Sequence, residues 1–113
     1  MGKNLSTLTE EIAELNIITG EKDVSVEAGY VSDLLSDVMR NAKPNSIWIT
    51  IQHHENVIAV AAMAEISVIV FSNGITPEEE IIKRAEDEGM ILCSYPDSSF
   101  ELVGRLYQLG VNG

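Results

Sequence analysis

The sequence predicts a single-domain layered α/β sandwich with a mostly parallel or mixed sheet of about five strands. Short apolar runs of strand length alternate with longer stretches at helical spacing, which is typical of a parallel sheet covered by helices. The 113 residues match the size of one domain. No linker, repeat or low-complexity tract divides residues 1–113, so one domain is expected.

The first element is predicted to be a helix over residues 6–15, with Thr7 and Glu10 forming a capping box. Two β-branched runs follow, at residues 16–20 and 24–31, and both are predicted to be strands. Only a short polar segment separates them. We therefore expect these two strands to pair antiparallel, which would make the sheet mixed.

The middle of the chain begins with a predicted helix over residues 32–42, capped by Ser32 or Asp33. Pro44 cannot continue that helix, so the helix ends before it. Residues 46–52 alternate between two apolar faces and predict a strand.

The next predicted helix, residues 55–65, is apolar on almost every side from Val57 to Met63. Such a helix needs cover from its own sheet and from a neighbouring helix or a second subunit. Because the chain is small, we predict that a second copy supplies part of the cover and that the protein is a homodimer.

The last part of the chain starts with an almost entirely apolar run at residues 66–72, which predicts a central strand buried on both faces. The following helix is predicted to have Thr76 as its N-cap and to end at Gly89. Residues 90–96 are the last predicted strand. Ser98 lies at capping-box spacing from a glutamate and starts the last predicted helix.

The chain is acidic, with 18 acidic and 7 basic residues and a formal net charge of -11. This charge repels phosphodiester backbones and anionic bilayers, so neither nucleic acid nor membrane is an expected partner. Cys93 is the only cysteine, and its apolar surroundings in the sequence predict burial. With no signal region and no apolar run long enough to cross a bilayer, a cytoplasmic location is expected.

Candidate ligand-binding residues follow the predicted strands. In parallel sheets, ligands bind outside the carboxyl ends of strands, where helix N-termini present free N–H groups to anions. This rule favours an anionic small molecule as the ligand. The candidates are Gly29, Tyr30, Ser32, Asp33, His53, His54, Asn56, Asn73, Gly74, Thr76, Ser98 and Ser99.

The two histidines, His53 and His54, directly follow a predicted strand. Neighbouring strand residues point to opposite faces, so we expect only one histidine to face the strand-end cleft. Adjacent strand residues are also poorly placed to share one metal ion, so no metal site is expected. General-base chemistry would need a partner such as Asp33 or Glu55. Phosphate-binding loops and nucleophile motifs are absent, so the sequence predicts no catalytic residues and no cofactor.

The sequence resembles DRTGG-type domains, in their short free-standing form, in three blocks: residues 29–39, 47–63 and 98–110. The stretch that matches the name-giving motif is residues 24–30, where only Gly29 clearly agrees. Relatives of this type are fused to CBS domains, phosphotransacetylases and pyrophosphatases, and are similar to the N-terminal domain of HPr kinase. The resemblance implies a regulatory or assembly module with a tendency to dimerise. It does not imply kinase activity, because the chain has no phosphate-binding loop.

Three functional hypotheses remain open. The first is a non-catalytic regulatory or ligand-sensing domain that acts as a homo-oligomer. The second is a binding protein for a nucleotide or a phosphorylated metabolite, and the third is a small enzyme with His53 or His54 as a base. A symmetric apolar interface would favour the first, and a cleft with a perturbed histidine would favour the third. Gly29 is expected to have a positive φ or to lie against a neighbouring backbone.

Overall fold

The protein forms a five-stranded sheet with helices on both faces, in a computed structural model that describes residues 2–20, 23–54 and 56–113. The elements in chain order are β1 (Lys3–Asn4), α1 (Leu5–Glu11), β2 (Asn16–Thr19), β3 (Ser25–Val26), β4 (Ala28–Val31), α2 (Leu35–Asn41), β5 (Ser46–Thr50), α3 (Asn56–Met63), β6 (Val68–Phe71), α4 (Glu79–Glu88), β7 (Ile91–Ser94) and α5 (Ser99–Gln108). In the described part of the chain, no helix has both the length and the apolar character needed to cross a bilayer.

The strands of the main sheet lie in the order β2-β7-β6-β5-β4. Strands β4 to β7 are parallel and β2 is antiparallel to β7, so the predicted mostly parallel, mixed sheet of five strands is confirmed. The predicted pairing of the two early strands is wrong, because β2 and β4 lie at opposite edges of the sheet. Instead, β2 satisfies the backbone groups of β7 that would otherwise form an open edge, with Ile17 opposite Cys93.

A separate two-stranded sheet holds the start of the chain, where β1 pairs antiparallel with β3. The single strand predicted over residues 24–31 is therefore divided between this small sheet and the main one. The end of the chain reaches the same corner. The Gly29 N–H donates to the Asn112 carbonyl at 2.9 Å, and a Cβ built on Gly110 would lie 3.6 Å from Lys3 Cε.

The sheet separates two apolar cores, which makes the fold a three-layer sandwich. On one face, Ile47 and Ile49 of β5 pack with buried residues of α1 and α5. On the other face, Trp48 packs with buried residues of α2, α3 and α4. This alternation along β5 is the two-faced pattern that the sequence predicts. The layered α/β class is therefore confirmed.

Helix α3 is covered mainly from within the chain. Val57, Ile58 and Ala61 are fully buried in the second core, and Val60 packs against the same core. Neighbouring helices α2 and α4 flank α3 on that face of the sheet. Only Met63 among its large side chains is well exposed, at 71%. The argument that α3 needs a second subunit is therefore wrong, and the oligomeric state stays a separate question.

Three predicted helix starts are wrong, and for α1 the group that binds the first turn comes from elsewhere in the fold. Helix α1 begins at Leu5, before Thr7, and the carboxylate of Asp23 accepts hydrogen bonds from the Ser6 N–H at 3.0 Å and the Ser6 hydroxyl at 2.8 Å. Helix α4 begins at Glu79, so Thr76 is not its N-cap.

The predicted boundaries at Gly89 and Ser98 are confirmed. Gly89 ends α4 in the left-handed conformation with φ of 70°, and Ser98 accepts a hydrogen bond from Glu101 N–H at 3.2 Å. Ser32 and Asp33 do not cap α2, which begins at Leu35 with Leu34 in the N-cap position.

Candidate functional site

Four polar segments leave the main sheet at one edge, because β4, β5, β6 and β7 run parallel and each leads into a helix. The segments are residues 29–33, 52–56, 72–76 and 95–99. The sequence predicts that a ligand binds at this common edge. We refer to it below as the strand-end edge.

The first half of the strand-end edge joins the ends of β4 and β5. Asp33 Oδ1 accepts hydrogen bonds from Thr50 Oγ1 at 2.7 Å and from Ile51 N at 2.9 Å. The indole N–H of the buried Trp48 donates to the Ser32 carbonyl at 2.9 Å. Ser32 and Asp33 therefore fasten the loop after β4 to β5, which explains why neither caps α2.

The second half joins the ends of β6 and β7. Asn73 N–H donates to the Asp97 carbonyl at 2.8 Å, and Gly74 N–H donates to the Tyr95 carbonyl at 3.0 Å. Both Asn73 and Gly74 have left-handed backbones, with φ of 59° and 69°. Glycine and asparagine adopt this region most readily, so these two residues allow the turn that follows β6.

Two buried hydroxyl residues, Thr50 and Ser72, connect the two halves of the strand-end edge. Thr50 ends β5 and Ser72 follows β6, and both side chains are almost completely buried. The Ser72 N–H donates to the Thr50 carbonyl at 3.2 Å, while Ser72 Oγ lies 2.6 Å from Ser99 Oγ. A continuous set of hydrogen bonds therefore runs from Asp33 through the two central strands to the start of α5.

Both histidines lie in the loop after β5, beyond the last paired residue of the strand, and both are exposed. They line one open cavity of about 330 Å³ together with Gln52, Glu78, Glu80 and Ile81. The prediction that only one histidine points into the cleft shared with residues 29–33 and 72–76 stays a prediction, because none of those residues lines this cavity. Its premise does not hold, since the strand pleat ends at Thr50, before both histidines. The cavity opens toward the start of α4, which the sequence pattern did not connect with the histidines.

The histidine rings make local contacts with the main chain. His53 Nδ1 lies 3.2 Å from the Ile51 carbonyl, and His54 Nδ1 accepts a weak hydrogen bond from Asn56 N–H at 3.4 Å. Asp33, one suggested partner, binds Thr50 and Ile51 instead. Glu55, the other suggested partner, lies outside the described residues.

Metal and thiol chemistry have little support in the described part of the chain. No group of three or more histidine, cysteine, aspartate or glutamate side chains is arranged there to hold a metal ion. Cys93 is buried under the first core, and burial raises the pKa of its thiol to about 12. A thiol in that environment stays protonated at neutral pH and is a poor nucleophile.

A match to a protein-family model identifies the family of this chain. The sequence model of the DRTGG domain matches residues 13–109. The chain belongs to the DRTGG domain family. Comparison with curated proteins found no match.

A solved structure with a similar fold contains the CBS and DRTGG domains of the regulatory region of Clostridium perfringens pyrophosphatase, in complex with the activator diadenosine tetraphosphate. The TM-score is 0.73 and the sequence identity is 16%. The alignment covers 92% of this DRTGG domain and 46% of the other chain, so the domain spans about half the length of that structure. At 16% identity, this similarity shows that the two DRTGG domains share a fold.

Residues 24–30, which resemble the family's name-giving motif, lie ahead of the carboxyl end of β4. Residues 24–30 run through β3 and β4 along the side of the sheet. Gly29 does not have a positive φ, and a Cβ there would meet Val111 and Ile47 side chains at ordinary contact distances of 3.7 and 3.8 Å. Both alternatives expected for Gly29, a positive φ and a neighbouring backbone in the space of a side chain, are wrong. The Gly29 N–H faces the chain end, where it binds Asn112.

The candidate residues therefore fall into separate groups. The strand-end edge brings together Ser32, Asp33, Asn73, Gly74, Ser98 and Ser99, and the histidine cavity lies beside it with His53, His54 and the neighbouring Asn56. Tyr30 points to α2, where its hydroxyl donates to Asp37 Oδ1 at 2.8 Å. Thr76 is an exposed loop residue with no capping role.

Sequence reasoning missed Thr50, Ser72, Glu78 and Glu80. The first two are hydroxyl residues at the ends of apolar runs, and that change from apolar to polar was the available signal. The glutamates belong to an acidic run at the start of α4, a pattern that usually indicates a solvated face. Their place in the histidine cavity depends on how α4 packs beside the loop after β5, which no local pattern indicates.

Proposed function

We propose that this DRTGG domain is a non-catalytic regulatory domain that acts as a homo-oligomer in the cytoplasm and senses a nucleotide or a phosphorylated metabolite. Family membership supports a regulatory role, because the DRTGG domain of similar fold lies in the regulatory region of a pyrophosphatase. That regulatory region was solved with a nucleotide activator, which supports the choice of ligand class.

The observation that carries the proposal is the convergence of four parallel strand ends on one edge of the sheet. The exposed residues Asn73 and Gly74 lie there beside the first turn of α5, and the open histidine cavity lies nearby. Exposed polar side chains and the free N–H groups of a helix start are suited to binding phosphate oxygens. The buried hydrogen bonds beneath them hold the loops in fixed positions.

Electrostatics set a condition on this proposal. Asp33, Glu78 and Glu80 are carboxylates at or beside this edge, and they repel phosphate groups. No arginine or lysine is among the described residues that line the cavity, so no fixed positive charge offsets these carboxylates. A phosphorylated ligand is therefore expected to bind as its magnesium complex.

The non-catalytic part of the proposal is supported by the contacts of the histidines. In the described part of the chain, each Nδ1 contacts a main-chain group of its own loop, and no carboxylate is hydrogen-bonded to either ring as the orienting partner of a base. The alternative of a small enzyme with a histidine base is therefore the weaker one.

A thermal-shift screen of the full chain against nucleotides, dinucleoside polyphosphates and phosphorylated metabolites tests the proposal. Each compound is measured with and without Mg²⁺. A ligand at 100 times its Kd adds about 2.7 kcal/mol of stability, which raises the Tm of a domain of this size by roughly 10 °C. If no compound shifts the Tm at millimolar concentration under any of these conditions, ligand sensing is wrong.

A matched pair of variants localises the response. The double variant His53→Ala and His54→Ala should reduce the shift, while Arg40→Ala removes an exposed cation in the last turn of α2, outside the cavity lining, and should not. An unchanged response in the histidine variant would place the ligand away from the histidine cavity.

A further inference from the structure

Helix α5 presents two large aromatic side chains to solvent. Phe100 is 87% exposed and Tyr107 is 61% exposed. They are seven residues apart, so they lie on the same side of the helix, about 10 Å from each other along its axis. Two aromatic rings exposed on one helix face indicate a surface that is covered by another molecule.

Gly104 lies between these rings, near the middle of α5. It is exposed, its φ is not positive, and a Cβ at this position would meet no atom within 4 Å. Nothing inside the chain therefore requires glycine here, although glycine is unfavourable inside a helix. Glycine does allow the backbone of another molecule to approach the helix closely, and such an approach would explain why glycine is present here.

An apolar groove of about 160 Å³ adjoins the same face, between α5, β4 and the chain end. Its lining includes Val31, Ile49, Val103, Leu106, Tyr107 and Val111. Val31 belongs to the edge strand and is 49% exposed. An apolar cavity of about 150 Å³ can hold a benzene ring, so the groove is large enough for an aromatic side chain.

The charge of this face favours a second copy of the chain as the occupant. The formal net charge is -11, so two copies repel each other over most of their surfaces. This side of α5 carries no charge at Phe100, Val103, Gly104 or Tyr107, and the exposed carboxylate of Glu101 lies beside it. Arg105, on the adjacent side, is already paired with Glu14 at 2.7 Å. Two copies can therefore meet along this face with one α5 carboxylate from each, and antiparallel helices that cross at Gly104 keep the two Glu101 side chains on opposite sides of the crossing.

The spacing on α5 is also self-complementary. Two antiparallel α5 helices that cross at Gly104 bring Phe100 of each copy toward Tyr107 of the other, which is the relationship that a twofold axis requires. We infer that two copies of this chain associate through the outer face of α5, with Phe100 of each copy in the apolar groove beside Tyr107 of the other. This inference rests on the homo-oligomer part of the proposed function, and it assigns the interface to α5 where the sequence had suggested α3.

Sedimentation equilibrium of the full chain from 1 to 200 µM tests the assignment. Phe100→Asp should raise the dimer Kd by roughly 1,000-fold, because each dimer loses two aromatic contacts of about 2 kcal/mol. Tyr107→Asp should weaken the dimer in the same way. The matched control is Met63→Asp, which places the same charge on the exposed part of α3 and should leave the dimer Kd unchanged.

Gly104→Gln separates the interface from helix stability. In the Phe100→Asp background, where association does not contribute, it should raise Tm by about 3 °C, because glutamine is a better helix former. In the otherwise unchanged chain it should raise the dimer Kd, because the longer side chain holds the partner helix away. A structural role for Gly104 within one chain would lower Tm in both backgrounds and would overturn this part of the inference.

A monomer mass at 200 µM would refute the interface, as would a dimer that survives both aspartate variants or one that is lost only with Met63→Asp. Circular dichroism spectra that match the unchanged chain confirm that the variants fold. The ligand screen reports separately: a monomer that still responds to a nucleotide overturns the interface and the homo-oligomer part of the proposed function, but not the sensing. A dimer that survives both aspartate variants overturns the interface alone. A dimer with no ligand response overturns only the sensing.

Discussion

The hydroxyl oxygens of Ser72 and Ser99 lie 2.6 Å apart and join the end of β6 to the first turn of α5. Ser72 is completely buried, whereas Ser99 is partly exposed. Removing the more exposed partner is therefore expected to be the more damaging change. Ser99→Ala should lower the free energy of unfolding by about 1–3 kcal/mol, because it leaves the buried Ser72 hydroxyl without a partner.

Urea unfolding of a double-mutant cycle checks this prediction. Ser72→Ala should lower stability less, since water can replace the lost partner of Ser99. The double variant should resemble Ser72→Ala. Equal losses for the two single variants would contradict the expected asymmetry.

Asp33 is predicted to stabilise the end of β5 through the two hydrogen bonds that it accepts from Thr50 and Ile51. Asp33→Ala should lower the free energy of unfolding by about 1–2 kcal/mol. Asp33→Asn keeps a carbonyl oxygen in the same place and should lose much less. Amide hydrogen exchange of Ile51 should accelerate in the alanine variant alone, and acceleration in both would show that the charge matters more than the acceptor.

Asp23 is predicted to make stability depend on pH. The Ser6 N–H and hydroxyl hydrogen bonds lower the pKa of the Asp23 carboxyl below its usual value near 3.8. Because the folded-state pKa is the lower one, this stabilisation is fully present above about pH 4–5 and is lost as pH falls through the folded-state pKa. Asp23→Asn should therefore lose part of the difference in urea midpoint between pH 7 and pH 3. An unchanged difference would contradict the role of Asp23.

Two glycines are predicted to respond in opposite directions to the same substitution. Gly89→Ala forces a side chain into the left-handed conformation at the end of α4, where φ is 70°, and should lower stability by about 1 kcal/mol. Gly104→Ala adds a methyl group in open space on a regular helix and should raise stability by up to about 1 kcal/mol. Thermal unfolding at low protein concentration measures both, and a loss of stability at Gly104 would contradict the interpretation of that position.

The parts of the fold that local patterns determine were predictable. Ile47, Trp48 and Ile49 alternate between two cores as their spacing indicates, and the capping contact of Ser98 is local. The parts that depend on distant residues were not. The N–H of Ser6 is capped by Asp23, and β2 pairs with a strand near the other end of the chain.

The candidate site follows the same division. Parallel strands place their ends at one edge, so the grouping of Ser32, Asn73 and Ser99 near that edge could be inferred from the strand order alone. The orientation of His53 and His54 could not, because it depends on β5 ending at Thr50 and on α4 packing beside the following loop. A periodic pattern predicts an element well but does not fix the residue at which it stops.

The proximity of Lys3 to Gly110 has a consequence for how such a domain can be joined to other proteins. Strand β1 pairs with β3, and Asn112 accepts a hydrogen bond from Gly29 of β4, so both ends of the chain lie at one corner of the domain. Polypeptide attached at either end would therefore emerge from the same place. The domain can therefore be inserted into a loop of a host protein, or circularly permuted with a short connecting peptide, without threading a segment across the strand-end edge. In such an architecture, a small rotation of the domain would move both attached segments together.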